Sequence, residues 1–130
     1  MGVLYVAASK KLGEWGSDVG LGKHLYKVGI SDDGAAPDGM AGESDWTVLA
    51  TAETDKDEAE ILERLARKEK LVDPLYYPRL KGLLGVVKVS VIAVENAMLV
   101  AFALDNREPP KNFKVKPTDI ARHLLANAVR

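Results

Sequence analysis

Residue types that could do chemistry gather in a few places in this chain of 130 residues. The stretch Leu25–Ser31 sets Tyr26, Val28 and Ile30 in alternation with Lys27 and Gly29, which is the period of a strand. Its three bulky side chains fall on one face, and Gly29 leaves a gap where a ligand, a helix or another strand can approach the backbone. A second stretch, Leu4-Tyr5-Val6, offers another tyrosine, and Glu63 sits at the edge of the apolar stripe of a helical pattern. Between residues 75 and 85, Tyr76 and Tyr77 stand close to Arg79 and Lys81. Tyrosines beside cations can stack on bases and neutralise phosphates, and they can equally anchor a long loop to a core.

These groups need elements to position them. Residues 3–8, 25–31 and 46–54 have the alternation and β-branched content of three strands. Glycines at 13, 16, 20 and 22 predict a long flexible turn over 12–22; their spacing matches neither nucleotide fingerprint, and no Gly-Lys-Ser or Gly-Lys-Thr follows. Residues 32–45, with three glycines, one proline and five acidic residues, predict a weakly ordered loop. Ala59, Leu62 and Ala66, with Ile61 and Leu65 offset by one, predict a helix over 55–71 capped by Thr54. Glu60 and Glu63 precede Arg64 and Arg67 by four residues, the spacing of ordinary surface ion pairs.

Towards the C-terminus, Lys88-Val89 followed by Val94, Met98 and Leu99 matches Lys114-Val115 followed by Ile120, Leu124 and Leu125 at a shift of 26. An extended stub leading into a short helix is thus used twice, with 86–93 strand-like, 94–104 helical and 118–129 helical. The expected architecture is one α/β (α+β) domain over 1–130. A small, mainly antiparallel three-stranded sheet flanked by helices forms its core over 3–90, and 86–130 is a helical C-terminal extension.

Composition narrows the function classes. There is no cysteine, so disulfide frameworks, thiolate zinc sites and cysteine nucleophiles are excluded, and a reducing, cytoplasmic setting fits. The longest apolar runs are interrupted by Lys88, Glu95 and Asn96, so no membrane partner is expected. The net charge of −1 conceals a balance of +2 over residues 1–30, −10 over 31–63 and +7 over 64–130. A helix dipole accounts for acidic residues from 55 giving way to basic ones by 70. It does not account for Arg79, Lys81, Lys88, Lys111, Lys114 and Lys116. Tyr77, Arg79, Lys81, Lys88, Lys111 and Lys114 are therefore candidate nucleic-acid contacts.

The order of these motifs resembles the GIY-YIG endonuclease superfamily, and is most similar to phage and bacterial relatives whose second motif reads Lys-Ile-Gly. Val3-Leu4-Tyr5 stands for the first motif and Lys27-Val28-Gly29 for the second; a third strand and the helix Ala-Glu-Ile-Leu-Glu-Arg-Leu-Ala over 59–66 follow. The resemblance covers residues 3–90. It implies Tyr5, Tyr26, Lys27 and Gly29 as catalytic positions, Glu63 as ligand of one Mg2+ ion, and hydrolysis of DNA phosphodiesters. Such chemistry requires a group that orients water, a hard cation on oxygen ligands and a positive charge at the phosphate. The family's helix arginine has no counterpart before Arg64, and Lys27 or His24 would supply charge without a guanidinium fork. The expectation is a nucleic-acid-binding protein with a degenerate or weak metal-dependent endonuclease site, in which Tyr5, Tyr26 and Glu63 converge around Gly29. The alternative is a catalytically silent module that binds a protein through the acidic loop or the C-terminal helices.

Overall fold

Two strands, each with an apolar face, supply one another's backbone partners. β1 (Gly2–Ala8) and β2 (Leu25–Ser31) run antiparallel, with Tyr5 opposite Gly29 and Val6 opposite Val28. The computed structural model containing them describes residues 2–37, 39–80 and 83–129, without the side chains of Ala41 and Arg79. β3 (Thr47–Thr54) pairs with the free edge of β1. Two short strands, β4 (Lys70–Leu71) and β5 (Val86–Lys88), extend the other edge, giving the antiparallel order β3-β1-β2-β5-β4. The sheet therefore has five strands where three were expected. β5 lies within the strand-like stretch 86–93, whereas β4, of two residues, is too short to show an alternation and exists through its pairing with β5.

Of the four helices described, α2 (Glu58–Lys68) and α4 (Pro117–Val129) cover one sheet face. Leu4, Val6, Tyr26 and Val28 meet Ile61, Leu65, Ile120 and Leu124 there in the main core. The C-terminal stretch is thus part of that core through α4. α3 (Val91–Leu104) packs against α4, and of its residues only Val94 is buried. Among the described residues no helix is long and apolar enough to cross a membrane.

Four local expectations are corrected. Thr54 does not cap α2; its hydroxyl accepts from the Lys56 amide, and Asp57 caps the helix by accepting from Glu60 N at 2.8 Å. Residues 91–93, expected as strand, open α3, because the Ser90 hydroxyl caps it by accepting from the Ala93 amide. Residues 12–18, expected within a flexible turn over 12–22, belong to α1 (Lys10–Asp18). Ser9 caps this helix by accepting from Leu12 N, and Asp45 accepts from Lys11 N at 3.1 Å and from the Ser9 hydroxyl. The acidic loop, expected to be weakly ordered, turns in a 3-10 helix at Met40–Gly42, buries Met40 and Glu43, and is tied by Trp46 Nε1 donating to Met40 O at 2.9 Å.

Two glycines explain why α1 sits where it does. A Cβ on Gly13 would lie 2.7 Å from Lys23 O, and one on Gly16 would lie 2.4 Å from Gly22 O. The helix can press against the returning chain only without those side chains. If residues 12–22 were a flexible turn, Gly16→Ala would stabilise the protein by restricting the unfolded chain. We expect instead a loss of about 1–3 kcal/mol from overpacking against backbone, read from urea denaturation. A gain in stability would refute the packing account of α1.

Candidate functional site

The register of β1 against β2 decides which side chains can meet. Residues directly opposite in an antiparallel pair share a face, so Tyr5 opposite Gly29 and Ala7 opposite Lys27 put Tyr5, Lys27 and Gly29 on the side away from α2 and α4. Tyr26 alternates onto the other face and packs in the main core, where burial raises its hydroxyl pKa. The expected meeting of the two tyrosines does not occur.

The gap at Gly29 is filled by the protein's own polar groups. A Cβ on Gly29 would lie 2.6 Å from the Tyr5 hydroxyl oxygen and 3.0 Å from Lys27 Nζ. On its other side the ammonium is closed in by Gly85, whose φ of 84° lies in the left-handed region and whose Cβ would stand 2.9 Å from Nζ. Gly85 O in turn accepts from Val28 N at 2.9 Å. Lys27 Nζ donates to Val28 O at 2.9 Å and lies 3.6 Å from Glu58 Oε1. Tyr5 donates to Met40 Sδ at 3.7 Å, a weak acceptor.

Exposure and charge define what this cluster can do. Tyr5 is 2 % and Lys27 4 % exposed, whereas the Glu58 side chain is about half exposed in the first turn of α2. Burial lowers the Lys27 pKa, and the charge of Glu58 partly restores it. Burial raises the Tyr5 pKa, and the negative charge of Glu58 raises it further. Tyr5 is therefore a neutral phenol, suited to donating a hydrogen bond and poorly suited to acting as a base.

The carboxylate that acts on this cluster is Glu58, which no spacing in the sequence connects to Lys27. Glu63, expected there, is exposed and pairs with Arg67 at 2.7 Å. It lines a cleft of about 430 Å³ with Ala59, Leu62, Asp73 and Gly85. Arg64, the first arginine after the second motif, is held by Glu60 at 3.2 Å. Among the described residues, no group of three or more His, Asp or Glu is placed to hold a metal ion.

The basic candidates divide. Tyr77 meets Trp15 edge-on, with ring centroids 5.7 Å apart, so its ring anchors the 74–80 passage. The side chain of Arg79 and all of Lys81 lie outside the described residues. Lys88, Lys111 and Lys114 are exposed. Lys88 stands directly opposite Lys70 of β4, a basic residue whose place in the sequence pattern is the end of a helix. No family model, no curated protein and no solved structure matches the chain.

Two expected outcomes follow from the buried pair. Lys27 titrates near 10.5 when unfolded and lower when folded, so between those values the unfolded state holds the extra proton and the Lys27 contribution to stability rises with pH. Lys27→Met removes the buried charge and leaves Glu58 in contact with water. Urea denaturation should show the variant more stable than wild type near pH 7, with the advantage shrinking by pH 10; a difference that does not change with pH would contradict this. Gly29→Ala should cost about 1–3 kcal/mol by pressing on the Tyr5 ring. The cost should be smaller in a Tyr5→Phe background, and strict additivity of the two changes would assign it elsewhere.

Proposed function

We propose that the chain is a nucleic-acid-binding protein on a GIY-YIG-like framework, with a degenerate hydrolytic site. One observation carries this reading: Tyr5 of the first motif and Lys27 and Gly29 of the second meet on one sheet face, although 20 or more residues separate them along the chain. Lys27 is the cation beside Gly29, and Tyr5 is a hydrogen-bond donor next to it. Exposed Lys70, Lys88, Lys111 and Lys114 supply ammonium groups for a phosphate backbone.

The degeneracy has its own support. Tyr5 and Lys27 are closed off from solvent, and the gap between them and Gly29 is taken by their own atoms. The residues present do not fit a magnesium ion: Glu58 faces Lys27 and Glu63 faces Arg67, so each carboxylate already has a cation as partner. A second reading, a catalytically silent protein-interaction module, is favoured by the 3-10 turn that places Met40 over the Tyr5 hydroxyl.

Fluorescence anisotropy with labelled duplex DNA over a salt series tests the first reading. Affinity should fall steeply with salt, and neutralising Lys88, Lys111 and Lys114 together should reduce the slope of log K against log salt by about 2.7, at roughly 0.9 per phosphate contact. Magnesium or manganese should produce at most weak cleavage in the same preparation. Absence of binding to DNA or RNA at low salt would sink this reading in favour of the second.

A further inference from the structure

Helix α3 poses a problem that the rest of the fold does not solve. Twelve of its 14 residues are apolar, Glu95 and Asn96 being the exceptions, yet within it Val94 alone is buried. A helix that is apolar around its circumference is ordinarily enclosed. One flank is covered: Phe113 of the 105–116 linker meets Phe102 edge-on, and the Arg107 guanidinium lies 5.2 Å from the Phe102 ring centre. The opposite side presents a ridge at four-residue spacing, Ile92, Asn96, Val100 and Leu104, with Ile92 71 %, Val100 58 % and Leu104 79 % exposed. Ala93 and Ala97, both exposed, lie beside it and leave a shallow groove.

We propose that this face of α3 binds the same face of a second copy of the chain, as an antiparallel helix pair whose two-fold axis passes beside Asn96. Three features of the face select a second copy. The single polar group in the ridge is an amide, which both donates and accepts and so is satisfied by its own counterpart on a two-fold axis. The ridge is symmetric about it: with Asn96 against Asn96, Ile92 of each copy falls against Val100 of the other. The small side chains of Ala93 and Ala97 admit the opposing ridge, as ridge-into-groove packing requires. The ends are complementary as well. Antiparallel packing brings the C-terminal end of one α3, where Asp105 is paired at 3.0 Å with Arg107 of its own chain, towards the Ser90-capped N-terminal turn of the other, so that opposite dipole ends meet. A lipid surface is a poorer match, since surface-bound helices carry a strongly charged polar face and α3 has one charge.

The chain has no cysteine, so a disulfide in a single-cysteine variant must join two copies. Asn96→Cys should form a covalent dimer rapidly under mild oxidation, whereas Glu14→Cys on the exposed side of α1 should not. Wild-type protein should sediment at twice the chain mass at tens of micromolar. Ile92→Glu and Val100→Glu, at exposed positions, should sediment at the chain mass with unchanged helical circular dichroism. A wild-type chain that remains monomeric overturns the proposal, and uptake of that monomer by phosphatidylcholine vesicles would assign the face to lipid. Dimerisation that survives both glutamate substitutions overturns it equally, as does an Asn96→Cys variant that dimerises like wild type without cross-linking.

Discussion

The seat of the Tyr5 ring against Gly29 is the contact on which the rest of the molecule depends. The ring can lie across β2 only because residue 29 has no side chain, and that position is compatible with one register of β1 on β2. In that register Leu4, Val6, Tyr26 and Val28 all turn towards α2 and α4. A slip by one residue would exchange the faces, sending the core side chains outward and the Tyr5–Lys27 pair inward. Core and candidate site are therefore two consequences of one pairing.

Electrostatics then ties α2 to the sheet. Ile61 and Leu65 hold the helix down through apolar contact, and Asp57 fixes where it begins, so Glu58 arrives beside Lys27 with the amino end of the helix. The interaction is unequal for its partners: the lysine has left water and the glutamate has not. Desolvation outweighs attraction at Lys27, while burial, with the same carboxylate adding to it, keeps Tyr5 protonated. An arrangement of this kind holds two polar groups in place on the sheet face away from α2, with Glu58 reaching Lys27 from the start of the helix. It does not resemble an open site waiting for a phosphate, which is why the proposed site is degenerate and contact with a phosphate backbone is left to the outer lysines.

The two C-terminal segments show how one local pattern can meet two fates. Both helices begin two residues after the valine of a Lys-Val pair, and both carry apolar residues at matching offsets. α4 lies on β1 and β3 and buries Ile120, Ala121, Leu124 and Ala128. α3 is held outside it and keeps an apolar ridge exposed. Position in the stack, and not composition, separates a core helix from one that still has a face to cover.

Strand alternation in β1, β2 and β3 and the helical period of α2 and α4 were legible from residue order, because each reflects the geometry of its own few turns or pleats. So was the gap at Gly29, and so was the pairing of Glu63 with Arg67, a contact between successive turns of one helix. Residue order did not disclose α1, whose capping depends on Asp45 more than 30 residues away and whose glycines are explained only by the backbone they press against. It did not disclose β4, which exists as a strand through its partner, and it placed β5 only within a longer strand-like stretch over 86–93. Nor did it separate Tyr5 from Tyr26 or select Glu58 over Glu63. Those choices depend on which face a side chain takes and where the chain returns, and periodicity within one element carries no information about the element that will pack against it.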